Sequence, residues 1–332
     1  MKKYSPCWVA TKVRNRIRLY RRRAKNSMSL YLFPPTQGGW HKHPGAVWGS
    51  KETGTMFDPY VRRENGKFAL YVSDRPNGAV IRVVSDDGVC WSGMTTLLEG
   101  VQGSDWEQEV NRACVVQKED TWYMWYTGQT RDRSCIGMAV SRDGIHYERC
   151  SAQPVMRPEY PYEKSNVMNP CVMWDEEKAV FRMWYCAGEK CEPDVICYAT
   201  SRDGIAWDKL KSPVFTPSDN LYDQQKVGGC EIVRMAENRY YLFYIGYQNI
   251  DNARICLAMS ENGVDRWERH NDNPILSPEI KNWDCHAVYK PAVYYDESQN
   301  KWYLWYNGRK RFQEYIGLAT NDCGRYLFHE GE

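Results

Sequence analysis

The sequence has no run of about 18 apolar residues, so no segment of it has the length of a membrane-spanning helix. Near its start, no apolar stretch reaches even the length of a secretory signal core. Histidine is scarce, at 6 of 332 residues, and no His, Cys or carboxylate group shows metal-ligand spacing. No cofactor is expected, and the sequence leaves a metal on the axis open without offering an evident His or carboxylate cluster for one. Cysteine is plentiful, but the 13 residues are odd in number and scattered, as at Cys90, Cys114, Cys171, Cys186, Cys230 and Cys256, which argues against a disulfide framework. They read as small buried thiols in apolar strands. Together with the missing signal core they point to the cytoplasm.

Acidic residues are absent from the first 25 positions, which hold ten Lys or Arg; of 44 basic and 42 acidic residues overall, the remainder keeps 34 and 42, a net charge of −8. The chain is therefore read as a basic arm over 1–35 and a body over 36–332. Within the arm, Thr11–Lys25 puts Val13, Ile17 and Tyr20 or Ala24 at helical spacing among Arg14, Arg18, Arg21 and Arg22. A short basic helix is predicted there, either solvated, packed on the body, or placed by residues 11–25 against an anionic membrane surface or a partner protein. Contact with a membrane would make the protein membrane-peripheral. Nucleic acid is not expected, because the acidic body repels a phosphate backbone.

What the sequence has in excess is Trp and Tyr, at 14 and 24 residues, side chains that fit pleated sheets better than helix faces. It also has a repeat. Val84-Ser85-Asp86-Asp87-Gly88 recurs as Val140–Gly144, Thr200–Gly204 and Met259–Gly263, with a weaker copy at Thr320–Gly324. The glycines stand 56, 60, 59 and 61 residues apart, the length of a four-stranded antiparallel sheet closed by tight turns. Five copies predict an all-β, five-bladed propeller. The segment from Trp40 to Val47 is similar to the outer-strand segments that start at Trp207 and Trp267, while little chain follows Gly324. The N-terminal end of the body is therefore expected to complete the last blade and remove its open edge.

Each copy contains a motif of the form V-x-x-P-x-V, such as Val167–Val172 and Val288–Val293. In a propeller that strand is innermost. Aligning the five copies on the residue at the position before Pro brings Asp58, Arg112, Asn169, Gly229 and Lys290 to the axis. Two positions later lie Tyr60, Cys114, Cys171, Glu231 and Ala292, on the same face if the strands alternate regularly. Charges gathered in this way require partners or a ligand. Loops after the aromatic strands add Arg75, Gln129, Arg131, Glu189, Asp194, Gln248, Arg309 and Lys310 to the mouth, and Glu107, Glu109, Asp284 and His286 lie close in sequence. Trp40, Trp48, Trp106 and Trp283 either stack on sugar or pack between blades.

The motif Phe57-Asp58-Pro59-Tyr60-Val61 resembles the first-blade motif of glycoside hydrolase family 43, and the repeat as a whole is more distantly similar to families 32 and 130. The resemblance implies a carbohydrate substrate and Asp58 as catalytic base, or as nucleophile in a retaining enzyme. It places a second Asp-Pro where this chain has Asn169-Pro170. It also implies a glutamic acid in the fourth repeat as proton donor, for which Glu231 ranks first here and Glu109 second. Cleavage needs two carboxyl groups about 6.5–9.5 Å apart for inversion or about 5–5.5 Å for retention. Arg112 and Lys290 either balance these charges or recognise an anion, as a phosphorylase would require. Trp40, Arg75, Glu189, Asp284, His286 and Arg309 complete the expected substrate contacts. Three readings stay open: a glycosidase, a phosphorylase or transglycosylase, and a propeller that only binds sugar.

Overall fold

A computed structural model describes residues 34–189, 192–249 and 252–328. Apart from Pro34 and Pro35, the basic arm and its predicted helix lie outside these residues. The described chain forms five antiparallel sheets of four strands each. From the axis outwards, the first blade runs through Met56–Glu64, Lys67–Asp74, Ala79–Ser85 and Ser92–Glu99, and the second through Glu109–Lys118, Thr121–Gln129, Ser134–Ser141 and Glu148–Arg149. The third contains Val167–Asp175, Val180–Ala187, Val195–Ser201 and Asp208–Lys209; the fourth contains Lys226–Ala236, Arg239–Asn249, Asn252–Ser260 and Glu268–Arg269. The fifth combines Ala287–Asp296, Lys301–Lys310 and Gln313–Asn321 with Trp40–Lys42 from the beginning of the body. Trp40 pairs with Asn321 and Lys42 with Ala319, so the ring closes as the sequence predicts.

The repeated Ser-x-Asp-Gly is a turn that bonds itself. Ser85 Oγ accepts the Gly88 amide at 2.8 Å, and Asp87 Oδ1 accepts the amides of Val89 and Cys90 at 2.8 and 2.7 Å. Its glycine is also the seam between blades. The Trp125, Trp184 and Trp305 indoles donate to the carbonyls of Gly204, Gly263 and Gly88 in the neighbouring blade at 2.9, 2.6 and 2.9 Å. A Cβ at Gly204 would stand 2.7 Å from the Trp125 ring, so only glycine allows this approach, and its φ of +78° suits no other residue as well.

A second repeated device ties the sheets radially. Glu107 accepts the Tyr126 hydroxyl at 2.8 Å and Arg149 at 2.9 Å. Glu163 holds Tyr185 and Lys209 at 2.8 and 2.9 Å, and Asp223 holds Tyr244 and Arg269 at 2.9 and 2.7 Å. In the fifth blade Asp284 accepts Tyr306 at 3.1 Å and Lys42 at 2.6 Å. Each clamp joins an acid ahead of the innermost strand, a Tyr on the second strand and a cation on the outermost strand. Lys42 supplies the last cation from the far end of the sequence. The first blade uses a variant in which Glu64 holds Tyr71 and Arg82.

Candidate active site

All five innermost strands break at the same place. The pairing of Phe57 with Ser73 is followed by that of Tyr60 with Tyr71, three residues on the inner strand against two on its partner. The same shift occurs at Asn111/Cys114, Met168/Cys171, Gly228/Glu231 and Tyr289/Ala292. These are β-bulges, which bend a strand and re-aim its side chains. The residue inside each is left-handed: φ is 51° at Asp58, 55° at Arg112, 53° at Asn169, 54° at Gly229 and 47° at Lys290. For the four that are not glycine, this conformation costs about 1–2 kcal/mol each. The bulge corrects the expectation of regular alternation, and separates the two sets of residues into two tiers.

Backbone amides of the bulges are held by the blade behind. Arg112 N–H donates to Ser73 Oγ at 2.9 Å, Asn169 N–H to Thr127 Oγ1 at 3.0 Å and Gly229 N–H to Cys186 Sγ at 3.1 Å. Ser73, Thr127 and Cys186 occupy one structural position, each opposite the last inner-strand residue before the bulge.

The upper tier opens into a pit of about 80 Å³ on the axis. Phe57, Pro193, Ile245, Tyr247, Ala253 and Tyr289 form its walls, and Asp58, Arg75, Arg112, Asn169, Glu192, Arg309 and Glu314 supply its polar groups. Arg112 Nε donates to Asp58 Oδ2 at 2.7 Å, and its other arm reaches Asn111 Oδ1 at 3.0 Å. Tyr289 donates to Glu314 Oε1 at 2.6 Å, with Arg75 3.5 Å from Oε2. Asn169 Oδ1 is buried without a hydrogen-bond partner. Glu192 stands on a loop that Asp194 anchors through Lys226 and Lys164 at 2.5 and 2.7 Å. Burial pushes the Glu192 carboxyl up from its ordinary value, while the Arg309 and Arg112 guanidiniums pull it down less strongly. Burial likewise raises the Tyr247 phenol, which feels the charges of Glu192 and Asp58.

Below this tier the axis is filled. Glu231 is 6% exposed and does not line the pit; its Oε2 lies 3.7 Å from Lys290 Nζ. Burial pushes its carboxyl up to about 7, the nearby ammonium only partly opposing this. Lys290 turns down past Gly229 and stays charged beside Glu231, with Cys230 O and Pro291 O each 3.4 Å from Nζ.

Several expected contacts are therefore reassigned. Glu231 lies too deep to protonate a ligand in the pit, and Lys290 points away from it. Glu109 is exposed and stands beside Gly78, on the flank of the blade. Glu189 is exposed and pairs with Lys164 at 2.7 Å, outside the pit. Asp284 is fully buried in the fifth clamp. His286 fixes a hairpin end, its Nδ1 accepting the Arg311 amide at 2.6 Å. Trp40 is 4% exposed and packs edge-on against Phe243 at 6.1 Å. By contrast Asp58, Arg112, Asn169, Arg75 and Arg309 meet in the pit. Sequence reasoning missed Glu192 and Glu314. Glu192 was within reach, because it shares the third-blade loop that had been picked out through Glu189 and Asp194.

A wider groove of about 550 Å³ runs over the outer rim between the third and fourth blades, near Trp267. Its carboxylate, Asp265, is exposed and sits 3.7 Å from Arg266, so nothing there concentrates reactive groups as the axis does.

The five-bladed propeller fold is similar to that of solved glycoside hydrolase structures. Residues 64–225 match the family model described as "Glycosyl hydrolases family 32 N-terminal domain". The chain superposes on a thermostable family-43 glycoside hydrolase with a TM-score of 0.65 at 17% identity, covering 85% of this chain and 91% of that one. It is 30% identical over 141 residues to a β-1,2-mannobiose phosphorylase of Thermoanaerobacter sp. (strain X514), which is 37% of this chain and 44% of that protein. An uncharacterised protein of Mycobacterium tuberculosis (strain CDC 1551 / Oshkosh) is 27% identical over 236 residues, 68% of this chain and 75% of that protein.

Proposed function

We propose that the protein is a glycosidase that cleaves the bond to a terminal sugar unit seated in the axial pit. The observation that carries this reading is a pair of carboxyl groups in one pit with opposite surroundings. Asp58 is ion-paired to Arg112, whereas Glu192 is pushed towards its protonated form by burial. Such a pair divides the roles of base and acid. Asp58 uses only Oδ2 in its bond to Arg112, so Oδ1 takes the proton of an attacking water. As the water oxygen bonds to the anomeric carbon, the glycosidic bond breaks, and its electron pair leaves on the oxygen that Glu192 protonates. Asn169 Oδ1 is an acceptor for a sugar hydroxyl, a role that its amide fills without adding charge. Below the pit the axis holds the buried pair Glu231 and Lys290, which suits a chain terminus better than the middle of a polymer.

A second reading has its own observation. Three guanidiniums, those of Arg75, Arg112 and Arg309, line the same pit, and one relative is a phosphorylase. Arginine forks suit phosphate, which would then replace water as the attacking group.

One experiment addresses both. Wild type and Asp58→Asn are assayed on a panel of aryl pyranosides and furanosides, with and without inorganic phosphate, following release of the aryl alcohol. Loss of a general base predicts a fall of about 10²–10⁴-fold in turnover, read on protein that circular dichroism shows to be folded at the assay temperature. Turnover that requires phosphate selects the phosphorylase. An Asp58→Asn variant as fast as wild type overturns the assignment of Asp58. Silence from both proteins, with measurable binding of free sugars, identifies a binding propeller.

A further inference from the structure

The fourth blade reaches the pit differently from its neighbours. Its bulge residue is Gly229, which has no side chain, and Lys290 of the fifth blade turns down past it. Among the described residues that line the pit, the fourth blade contributes Ile245, Tyr247 and Ala253, so its one polar group there is the Tyr247 hydroxyl. Tyr247 lies on the second strand, paired with Lys226, two residues before the last inner-strand residue ahead of the bulge. Arg309 stands at that position in the fifth blade, paired with Ala287, and Gln129 in the second, paired with Glu109. In the first blade it is Arg75, whose amide donates to Thr55 O at 3.2 Å. Arg75, Tyr247 and Arg309 all line the pit. A second ring of positions beside the bulges is therefore constant in backbone and divergent in side chain.

The Tyr247 ring is buried in a cluster with Ile245, Ala253 and Ala287, and Tyr289 packs against the same cluster. The two tyrosines of the pit differ at their tips. Tyr289 donates to Glu314 Oε1 at 2.6 Å, whereas no described residue hydrogen-bonds the Tyr247 hydroxyl. Burial raises this phenol, the charges of Glu192 and Asp58 add to the effect and that of Arg112 opposes it, so the hydroxyl keeps its proton within the field of both carboxyl groups. A buried hydroxyl without a partner loses its hydration and gains nothing in return, and phenylalanine would fill the same space. Tyrosines that serve the blades, Tyr126, Tyr185, Tyr244 and Tyr306, all have their hydroxyls bonded to acids. That of Tyr247 is a donor left for a ligand.

We propose that Tyr247 is a specificity-determining residue of the pit, its hydroxyl donating a hydrogen bond to one hydroxyl oxygen of the terminal sugar while its ring and Ile245 meet the sugar's C–H face. The apolar wall favours a sugar, which has such a face, over inorganic phosphate, which has none. This assignment rests on the reading of the pit as the seat of a terminal sugar, and is independent of which carboxyl group acts as base.

The test compares wild type, Tyr247→Phe and Asp58→Asn, each as the full chain, on the aryl glycoside that wild type cleaves fastest and on its monodeoxy analogues. Tyr247→Phe keeps the ring against Ile245 and Ala253, and circular dichroism checks that each variant is folded at the assay temperature. On the parent glycoside kcat/KM of Tyr247→Phe should fall about tenfold, the worth of one hydrogen bond. On one deoxy analogue wild type should fall by the same factor and the variant no further, while the other analogues keep the full difference between the two proteins. Equal values for wild type and Tyr247→Phe on the parent, or a difference that persists on every deoxy analogue, overturn the proposal. A loss that appears only in KM for phosphate overturns it too. If no glycoside is cleaved, the same comparison is made by calorimetry on free monosaccharides and their deoxy forms, and a wild type that binds none of them overturns the contact together with the sugar reading. A dead Asp58→Asn with an unchanged Tyr247→Phe refutes the contact alone; an active Asp58→Asn with a deoxy-selective loss in Tyr247→Phe keeps the contact and refutes the reading of Asp58.

Discussion

The acid-tyrosine-cation clamps and the ring of bulge residues lie a few residues apart in sequence, yet the blades treat them in opposite ways. Four clamps repeat one chemistry: Glu107, Glu163, Asp223 and Asp284, each with a tyrosine hydroxyl and a cation from the outermost strand. The bulges repeat only their backbone, with φ between 47° and 55°, and carry Asp, Arg, Asn, Gly and Lys in turn. Holding a sheet together is the same task in every blade, whereas a single asymmetric ligand on the axis, as proposed above, would make a different demand of each. In a repeat protein, therefore, constancy between copies marks structure and divergence at a constant backbone position marks function.

Breaking the clamps gives the largest expected effect. Lys42→Met and Lys209→Met each leave an acid of 0% exposure without its ammonium, and both lysines are themselves nearly buried, at 4% and 5%. Loss of one partner of such a pair costs about 4 kcal/mol. Arg149→Met and Arg269→Met should cost less, because those guanidiniums are 26% and 20% exposed and water can replace part of the interaction. Urea midpoints of the four variants check this ranking. Four equal values would mean that the clamps are not set by burial, and a harmless Lys42→Met would mean that the closing strand is held by pairing alone.

The architecture was legible because a propeller writes its period into the chain. Gly88, Gly144, Gly204 and Gly263 are required by seams and turns, so their spacing gave the blades, and the outer-strand pattern near Trp40 gave the closure. Asp58, Arg112 and Asn169 were legible as a ring because the bulge is in register in all five copies. Ranking Glu231 first as the donor followed the order of the repeats; the one-residue bulge, invisible in the pattern V-x-x-P-x-V, carries it and everything after it to a lower tier. Asp284 was misread as a ligand contact for a related reason: an acid beside the axis and an acid in a clamp differ only in which side of the strand they approach. Glu192 was missed because a loop position has no periodicity to announce it.

Glu231 tests whether divergence in the lower tier also means function. Its folded value of about 7 stands above the ordinary 4.5, so between those two values the native state holds a proton that the unfolded chain has lost. Its contribution is then fully present below pH about 4.5 and is lost as pH rises through about 7, by no more than about 3 kcal/mol. Glu231→Gln removes this dependence. Urea unfolding at pH 5 and pH 8 should show wild type losing stability relative to the variant over that interval. The opposite sign, with the variant weaker at pH 8, would show that attraction to Lys290 outweighs burial and that the lower tier is an ion pair in the ordinary sense.

Glu192→Gln probes the upper tier with the smallest effect and the sharpest signature. Burial raises the carboxyl of wild type, so turnover of an alkyl glycoside should fall as pH rises through that raised value, while the variant has no such alkaline limb. The loss must also depend on the leaving group. A dinitrophenyl glycoside departs without a proton and should lose little, roughly threefold, whereas a methyl glycoside needs the acid and should lose about a hundredfold. Equal losses on both substrates would remove Glu192 from the chemistry and leave Glu314, held by Tyr289 and Arg75, as the remaining carboxyl in the pit able to approach a leaving oxygen. A preserved alkaline limb in the variant would separate the titrating group from Glu192 in the same way, and the division between repeated clamp and divergent ring would then place the proton donor on the fifth blade.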